Sequence, residues 1–565
     1  MKSNILLIAS LMAGSVVLSS CDDYLTSKNT NQANDETFLA DDASVLATTG
    51  PLYNYAWWQF NEKSYYAMGD GRANNITAPW SDYIYCYTNF TENSTSPGLN
   101  DGWNSLYSVV AQSNNTIERI EKYAGAAVSQ GARTQGIAEA RFMRGVAYWY
   151  IGSLWNTAVL YTSTSAMVQN YIVAPNRVTD VMEFAIRDLE YAAANLASTA
   201  PQEGRVSSYA AYGMLSRMYL SMAGLTTEGQ YDGNNIATDH NRGTRNPYYL
   251  DLAKKAALKC IEGPYSLMDN YGDLFSVKTW NNNRESLFQL QWLAGANTGT
   301  TTDGCHNPIS AFFGWSSMVD DAAWGGATYS SYDFVRTVDP AETDRRHYNI
   351  TTYGDFYPEL NVANGGYTVG VTEVDDSNYK KRCHVKKHVP GKLADNGVSY
   401  KQSNGLNTYM LRLAEVYLNL AEAILGNDAS TSDATAMEYF NKVRTRANMK
   451  PLRSIDYAAL HYERRVELAF EGQYWYDLLR RSYYQQQEVV NYLNSQERNA
   501  SYEYDETEPC KYAKSADGTG VATATATQLA LPLSDVDLGR NPLLGTAPVA
   551  YQFGEREVNT ADLYN

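Results

Sequence analysis

The sequence predicts a mainly α-helical protein with long irregular loops and a few short β-strands. Apolar residues recur at helical spacing in two blocks, about residues 103–262 and 407–484. Between these blocks, residues 263–403 are rich in Gly, Asn, Asp and Trp, have little period, and contain short strand-like runs such as 286–292. Loops of this length inside a domain are usually functional or disordered, and their aromatic content argues against disorder. We therefore expect the helices to form a scaffold and the loops to bind a ligand.

A repeated helical arrangement suggests how the scaffold is built. In three segments a small residue precedes a tyrosine by about one helical turn, so both side chains lie on one face. The small residue lets a neighbouring helix approach, and the ring fills the adjacent groove. The pattern favours stacked helix pairs like those of tetratricopeptide repeats, although coincidence in an ordinary helical protein is the alternative. The pairs are Gly145 and Tyr148, Ser216 and Tyr219, and Ala414 and Tyr417.

The N-terminus carries a pattern typical of an exported, lipidated protein. Lys2 precedes a short apolar run, about half of a membrane span, that ends in Leu18-Ser-Ser-Cys21. This ending resembles the lipobox of bacterial lipoproteins, which implies cleavage before Cys21 and lipid attached to that residue. An ordinary secretory signal followed by a chance cysteine is the alternative.

These features predict the organisation of the chain. We expect a signal peptide at 1–20, a polar lipidated tether at 21–41 and a single domain at 42–565. Within that domain, the helical repeat parts are placed at about 103–262 and 407–484, and the loop-rich ligand-binding parts at about 57–102 and 263–403.

Composition excludes several classes of partner and site. The chain has 565 residues and a net charge of −17, so nucleic-acid phosphates would repel it. Apart from Cys21, the cysteines are scattered singly, which argues against a disulfide scaffold and a structural zinc site, and we predict no metal ligands. The 46 tyrosines and 11 tryptophans suit surfaces that bind half-apolar, hydroxylated ligands. The remaining cysteines are Cys86, Cys260, Cys305, Cys383 and Cys510.

The second helical block carries a resemblance to a known family. Its three characteristic segments are, in order, 409–423, 440–447 and 463–480. Together they resemble the C-terminal hallmark of the SusD/RagB family, outer-membrane lipoproteins of Bacteroidetes that capture nutrients, mostly glycans. One departure is Tyr474, where many members carry arginine, a change that affects one salt bridge rather than the fold. Three further segments extend the resemblance. Cys21–Leu25 resembles the start of the family's mature chain, Trp103–Tyr107 its first repeat helix, and Leu531–Leu538 its C-terminal end.

We interpret the hallmark segment as structural rather than catalytic. Glu467 lies three residues after Arg464 and four before Glu471, a spacing that places all three on one helix face. Paired carboxylates can perform acid–base catalysis. Here we expect nearby arginines to neutralise them and to form an ion network that holds helices together. These arginines are Arg464, Arg465, Arg480 and Arg481.

Two aromatic stretches, 57–89 and 280–332, are predicted to form the ligand site. Aromatic rings cover the C–H faces of a sugar, while Asn, Asp, Gln and Arg bond its hydroxyls. The resemblance implies an aromatic arc, with Arg and Asn, from comparable regions. The predicted glycan-binding residues are Asp70, Arg72, Asn74, Trp80, Tyr83, Trp280, Trp315, Trp324 and Tyr329.

Several aromatic residues in these stretches could instead belong to the hydrophobic core. We expect at least one of Trp57 and Trp58 in the core, and Trp292, at the end of a strand, to be buried. Tyr83 and Tyr85 alternate like residues on one face of a strand, and a platform role and a core role are equally open for them.

The resemblance implies a non-enzymatic protein that binds oligo- or polysaccharide at the cell surface. On this hypothesis, lipid on Cys21 anchors it in the outer membrane, and it delivers glycan to a SusC-like TonB-dependent transporter. Asp22-Asp23 after the cysteine resembles a surface-export signal of Bacteroidetes, which predicts an outward-facing location. No catalytic residue, cofactor or nucleic-acid partner is expected.

Two other functions remain open. A peptide- or glycopeptide-binding member would use the same uptake route, and the aromatic loops do not distinguish it. A surface glycoside hydrolase needs two carboxylates that flank the scissile bond, and Asp320 and Asp321, which lie among aromatic residues, are the candidates. No Ser-His-Asp signature, phosphate loop or metal motif supports an enzyme.

Overall fold

The computed structural model describes residues 38–79, 81–294, 304–314, 318–319, 328–372, 381–397, 399–400 and 403–564. The predicted signal peptide, Cys21 and most of the predicted tether lie outside these residues. Within the described ranges, no helix is both long enough and apolar enough to cross a membrane.

Helices make up most of the regular structure, which confirms the predicted mainly α-helical class. Two π-helical turns, Phe60–Ser64 and Ala67–Gly71, belong to one continuous helical stretch, 58–71. The described residues form seventeen α-helices. They are α1 (Asp42–Thr49), α2 (Asp82–Asn89), α3 (Leu99–Tyr123), α4 (Gln130–Trp155), α5 (Thr164–Gln169), α6 (Val178–Asn195), α7 (Ser208–Leu225), α8 (Pro247–Ile261), α9 (Tyr332–Thr337), α10 (Thr343–Asn349), α11 (Leu393–Asn396), α12 (Leu413–Leu425), α13 (Ala434–Arg446), α14 (Tyr457–Glu467), α15 (Tyr474–Ser482), α16 (Gln486–Ser495) and α17 (Asp535–Arg540).

The strands are short and form seven antiparallel pairs among the described residues. The predicted strand at 286–292 is confirmed, although it ends at Leu290. The pairs are β1 (Ile76–Thr77) with β5 (Tyr329–Ser330), β2 (Thr157–Ala158) with β3 (Asn176–Arg177), β4 (Ser286–Leu290) with β10 (Thr408–Arg412), β6 (Phe356–Tyr357) with β7 (Tyr367–Thr368), β8 (Ser399–Tyr400) with β9 (Ser403–Asn404), β11 (Ser430–Thr431) with β12 (Ile455–Asp456), and β13 (Ser501–Tyr504) with β14 (Tyr512–Ala516).

The long helices pack side by side to form the scaffold. α3 packs on α4, α4 on α6, α6 on α7 and α7 on α8. The second helical block then returns to the first, because α12 packs against both α7 and α8 as well as its own neighbour α13. One large apolar core runs through these helices and continues beneath the loops. The two helical blocks predicted from the sequence thus pack directly against each other and share one core.

The repeated pairs of a small residue and a tyrosine lie at helix contacts. Gly145 on α4 has no room for a Cβ atom, because Leu189 of α6 occupies that space. Ser216 on α7 accepts a hydrogen bond from Asn419 Nδ2 of α12 at 3.0 Å. The tyrosine of each pair is buried. Small side chains therefore allow the close approach of helices that the pattern predicts.

The hallmark segment holds a buried ion network, as predicted, but its geometry differs from the expectation. Arg412 lies 2.6 Å from Glu467 and 2.8 Å from Glu471, and Lys387 lies 2.9 Å from Glu471. All four side chains are buried. The prediction that both glutamates share a helix face is wrong, because α14 ends at Glu467. The turn that follows α14 brings Glu471 back into contact with Arg412, which also binds Glu467.

The arginines expected to neutralise these two glutamates bind other carboxylates instead. A buried charge needs a partner, and each of three arginines takes one from a different element. Arg464 pairs with Asp477 at 2.8 Å, Arg465 with Asp333 at 2.9 Å, and Arg480 with Glu422 at 2.6 Å.

Candidate functional site

The two aromatic stretches predicted from the sequence meet in the structure. β1 pairs with β5 through Thr77 and Tyr329. Trp58 Nε1 donates a hydrogen bond to the His306 carbonyl at 3.1 Å. The loop-rich parts on either side of the first helical block are therefore in direct contact, although they are far apart in the chain.

A short helical turn directs one ring inward and its neighbours outward. The Asn54 side chain accepts a hydrogen bond from the Tyr55 N–H at 2.6 Å and starts this turn. Trp57 is fully buried, and its Nε1 donates to the Leu52 carbonyl at 2.9 Å. Tyr55 is 67% exposed, and Trp58 is half-buried. The prediction that one of the two adjacent tryptophans lies in the core is confirmed.

Tyr55, Trp58 and Leu293 surround one loop. A Cβ atom on Gly304 would lie 2.8 Å from the Tyr55 ring and 3.9 Å from Trp58 Cβ, so both residues border this glycine. Leu293 donates its N–H to the Cys305 carbonyl at 2.9 Å, and its side chain is 67% exposed. The three side chains form an apolar strip that is accessible to solvent.

Polar side chains flank this strip. Lys63 Nζ lies 4.7 Å from the ring centroid of Tyr83 and 3.1 Å from Asp101 Oδ2. Gln59 Nε2 donates to Asp101 Oδ1 at 3.4 Å. Tyr83 is 37% exposed. Lys63 belongs to the π-helical turn that follows Trp58 and Gln59 in the same helical stretch.

These residues form a surface suited to a hydroxylated ligand with apolar faces. Rings can pack on C–H faces, and the ammonium, amide and carboxylate groups can bond hydroxyls. Partial burial lowers the pKa of Lys63, but the carboxylates of Asp101 and Glu62 outweigh this effect and raise its pKa above the ordinary value. The ammonium is therefore charged at neutral pH. We define the aromatic surface as Tyr55, Trp58, Gln59, Lys63, Tyr83 and Asp101.

Asp70, one of the predicted ligand residues, lies in the interior. Its Oδ2 accepts a hydrogen bond from the Gly472 N–H at 2.7 Å, and its Oδ1 accepts from the Phe470 N–H at 3.0 Å. Burial raises the pKa of Asp70 to about 6. The carboxyl group fastens the helical stretch to the turn after α14 and presents no surface to a glycan.

Arg72 and Asn74 are also fully buried. The Arg72 guanidinium lies 4.6 Å from the ring centroid of Trp475 and forms an ion pair with Glu92. Asn74 has a left-handed backbone with φ of 62°, and its carbonyl accepts a hydrogen bond from Ser331 Oγ at 2.5 Å. Because these side chains are enclosed by protein, we do not include them in the aromatic surface.

Trp280 and Tyr329 lie beneath the loops rather than on them. They are 4% and 3% exposed. Trp280 Nε1 donates to the Asn407 carbonyl at 2.7 Å, and the Tyr329 hydroxyl accepts from Arg382 at 3.1 Å. Both rings support the loops from inside, so neither belongs to the aromatic surface. Trp292 is buried, as predicted.

Tyr83 belongs to the aromatic surface, but its local structure differs from the expectation. α2 contains both Tyr83 and Tyr85, so the prediction that they alternate on a strand is wrong. On a helix, residues two apart do not share a face. Accordingly, Tyr83 is exposed while Tyr85 is half-buried.

The remaining predicted residues lie outside the described part of the chain and stay predictions. They are the predicted platforms Trp80, Trp315 and Trp324, and the candidate catalytic pair Asp320 and Asp321.

Sequence reasoning missed five members of the aromatic surface. Tyr55 precedes the predicted aromatic stretch, and Trp58 lies within it but is considered there only as a core residue. The other three, Gln59, Lys63 and Asp101, belong to helical segments without a ligand motif. One signal was available: Asn54 is a preferred residue type at the start of a helical turn, which places the residues after it on defined faces.

Family profiles match most of the chain. The profile of the SusD family matches residues 267–548, and a profile described as "Starch-binding associating with outer membrane" matches 23–220. A SusD-like protein of Bacteroides ovatus is 34% identical to this chain and covers 98% of it and 99% of its own length. The chain belongs to the SusD family. The resemblance found in the sequence is thereby confirmed.

Solved structures share the fold of this SusD-family chain. A crystal structure with xylogluco-oligosaccharide has a TM-score of 0.79 and 33% identity, covering 91% of this chain and 100% of that chain. A SusD superfamily protein from Parabacteroides distasonis has a TM-score of 0.66 and 20% identity, covering 89% of this chain and 98% of that chain. The second similarity concerns the fold alone.

Proposed function

We propose that this SusD-family protein binds oligosaccharide at its aromatic surface and does not cleave it. The observation that carries the proposal is that two exposed rings, Tyr55 and Tyr83, and the half-buried Trp58 lie on or beside the helical stretch 58–71, which contacts the second loop-rich part. Lys63 and Asp101 stand beside these rings and can bond sugar hydroxyls.

The energetics favour an extended ligand over a single sugar. One ring that removes 100 Å² of apolar surface from water contributes roughly 2.5 kcal/mol. Association costs several kcal/mol in lost freedom, so a single platform gives negligible affinity. A sugar chain that covers all three rings to this extent gains roughly 7.5 kcal/mol before that cost. We therefore expect affinity to rise with chain length until the ligand spans the surface.

Xylogluco-oligosaccharide is the first ligand to test. A structure containing it shares 33% identity with this chain over 91% of its length. Its sugar rings present the C–H faces and hydroxyls that the aromatic surface can accept.

We further propose lipid anchoring and transfer to a transporter. Lipid on Cys21 would hold the protein at the outer membrane, and the chain from there to Phe38 can reach at most about 60 Å. The glycan would pass to a SusC-like TonB-dependent transporter. The family profile that matches 23–220 is described as associating with the outer membrane, which supports this location.

The aromatic surface is a poor catalytic site for a glycoside hydrolase. Such an enzyme flanks the scissile bond with two carboxyl groups. Asp101 is bound to Lys63 at 3.1 Å, and Glu62 is buried, with 6% of its surface exposed. Neither group is free to flank a bond on this surface.

Calorimetric titration combined with product analysis tests the proposal. Xylogluco-oligosaccharides of increasing length should give saturable heat and increasing affinity, while a peptide mixture gives none. Chromatography of the same samples after prolonged incubation should show intact ligand. Release of reducing ends would replace the proposal with a hydrolase, and binding of the peptides alone would assign a different cargo.

A further inference from the structure

A second aromatic cavity, of about 570 Å³, lies between α14, α15 and α16. It shares no residue with the aromatic surface. Its volume falls within the range of roughly 300–1,000 Å³ that is typical of small-molecule sites. The hallmark region, interpreted from the sequence as purely structural, therefore has an opening to solvent.

Tyrosine rings and one imidazole line this cavity. Tyr457 and His461 lie one turn apart on α14, with stacked rings whose centroids are 5.5 Å apart. The Tyr474 hydroxyl bonds His461 Nε2 and lies 2.7 Å from the Tyr492 hydroxyl. Burial lowers the pKa of His461 to about 3, so its ring is neutral at pH 7. The cavity thus combines apolar faces with a cluster of hydroxyl groups.

Arg481 is a positively charged residue in the wall of the cavity. Its guanidinium lies 4.0 Å from the ring centroid of Tyr457, and Nε donates to Gln485 Oε1 at 2.9 Å. Among the described residues, no carboxylate pairs with it and no acceptor takes a hydrogen bond from Nη1 or Nη2. The preceding residue, Arg480, contrasts with it, because Glu422 binds that guanidinium at 2.6 Å.

The other charged groups that line the cavity are already engaged. Arg465 pairs with Asp333 at 2.9 Å. The Asp456 carboxylate accepts a hydrogen bond from the Ala459 N–H at 2.8 Å and caps the start of α14. In a chain with a net charge of −17, a half-buried arginine without an acidic partner is a preferred place for a ligand carboxylate, which it can bind with two parallel hydrogen bonds.

We propose that this cavity binds a hexuronate, a sugar that carries a carboxylate. The carboxylate pairs with Nη1 and Nη2 of Arg481. The C–H face of the sugar packs on the accessible tyrosine rings, and the hydroxyl of Tyr492 bonds a sugar hydroxyl. This site goes beyond the proposed oligosaccharide surface and does not depend on it.

Ligand-detected NMR and calorimetry on the mature chain test the inference with four probes: glucuronate, galacturonate, glucose and acetate. At least one uronate should bind ten times more tightly than glucose, because glucose lacks the carboxylate. Acetate should bind more weakly than the uronate, because it lacks the ring. Equal affinity for glucose and both uronates, or for acetate and the uronate, would overturn the proposal.

Variants locate the site. Arg481→Gln should weaken uronate binding at least tenfold, and Arg481→Lys should retain part of it. The matched control is Arg453→Gln, an exposed arginine outside the cavity, which should leave the affinity unchanged. Thermal melting confirms that each variant is folded. A folded Arg481→Gln variant that binds normally, or loss of uronate binding in Tyr55→Ala, would place the uronate elsewhere and refute the assignment.

Discussion

Gly69 lies directly against Gly472: a Cβ atom on Gly69 would come within 2.5 Å of the Gly472 Cα and carbonyl oxygen. Gly69 belongs to the helical stretch that carries Trp58, and Gly472 belongs to the turn after α14. Asp70 binds the N–H of the same glycine. The aromatic surface is therefore supported from below by the hallmark segment that identifies the family.

This contact predicts a loss of stability in Gly69→Ala. A methyl group there meets backbone atoms, which cannot rotate away, so the free energy of unfolding should fall by about 1–3 kcal/mol. Urea denaturation measures the change. Gly539→Ala on α17 is the matched control, because it is also helical and no atom outside the adjoining residues lies within 4 Å of the new methyl group. Equal stability of the two variants would mean that the helical stretch is not clamped at Gly69.

The ion network predicts a pH-dependent penalty for Glu467→Gln. Burial raises the pKa of Glu467, but Arg446, Arg412 and Arg345 outweigh it and lower the pKa to about 2. A carboxylate with a pKa depressed below its unfolded value of 4.5 stabilises the fold above that pH and loses this effect as the pH falls toward 2. The variant should lose about 3–5 kcal/mol at pH 7.

Unfolding curves at pH 7, 4.5 and 3.5 check this prediction. The gap between wild type and Glu467→Gln should narrow as the pH falls. Glu488→Gln, at an exposed position on α16, is the control and should shift stability by less than about 0.5 kcal/mol at each pH. A gap that stays constant with pH would show that Glu467 does not titrate as the pairing requires.

Local patterns predicted the scaffold well. The pairing of small residues with tyrosines depends on helical spacing alone, and Gly145 and Ser216 lie at helix contacts as expected. The spacing of Glu467 and Glu471 was misleading, because the helix ends and Phe470 adopts a left-handed backbone with φ of 63°. A spacing of four residues indicates a shared face only while the helix continues.

The site was harder to predict, because residue type does not reveal which side chains are enclosed. The side chains of Asp70, Arg72 and Trp280 are of types that bind sugar hydroxyls or sugar C–H faces. In the structure each is satisfied by a partner distant in sequence, the Gly472 N–H for Asp70 and the Asn407 carbonyl for Trp280. Whether a side chain is buried in this way depends on tertiary contacts, and these contacts cannot be inferred from residue type and local spacing.

Burial of Trp280 predicts that Trp280→Phe changes stability but not glycan affinity. The variant keeps a ring and loses the hydrogen bond to the Asn407 carbonyl, so the free energy of unfolding should fall by about 1–3 kcal/mol. Calorimetry on the folded variant should give the wild-type dissociation constant for xylogluco-oligosaccharide. Weaker binding without a stability change would return Trp280 to the ligand site.

The three tryptophans outside the described residues are predicted to be further platforms. Replacing Trp80, Trp315 and Trp324 together with alanine should weaken glycan binding by at least about tenfold, which corresponds to 1.4 kcal/mol. Single variants then apportion the effect, and circular dichroism verifies folding. An unchanged affinity in the triple variant would remove these loops from the site.

The central claim is that exposed rings on the aromatic surface hold the glycan, and Tyr55→Ala tests it most directly. Tyr55 is 67% exposed, and Tyr171, which follows α5 outside the aromatic surface, is 48% exposed and serves as the matched control. Titration with xylogluco-oligosaccharide should show an affinity at least about tenfold weaker for Tyr55→Ala, equivalent to 1.4 kcal/mol, and no change for Tyr171→Ala. Wild-type affinity in Tyr55→Ala, or equal losses in both variants, would contradict the account.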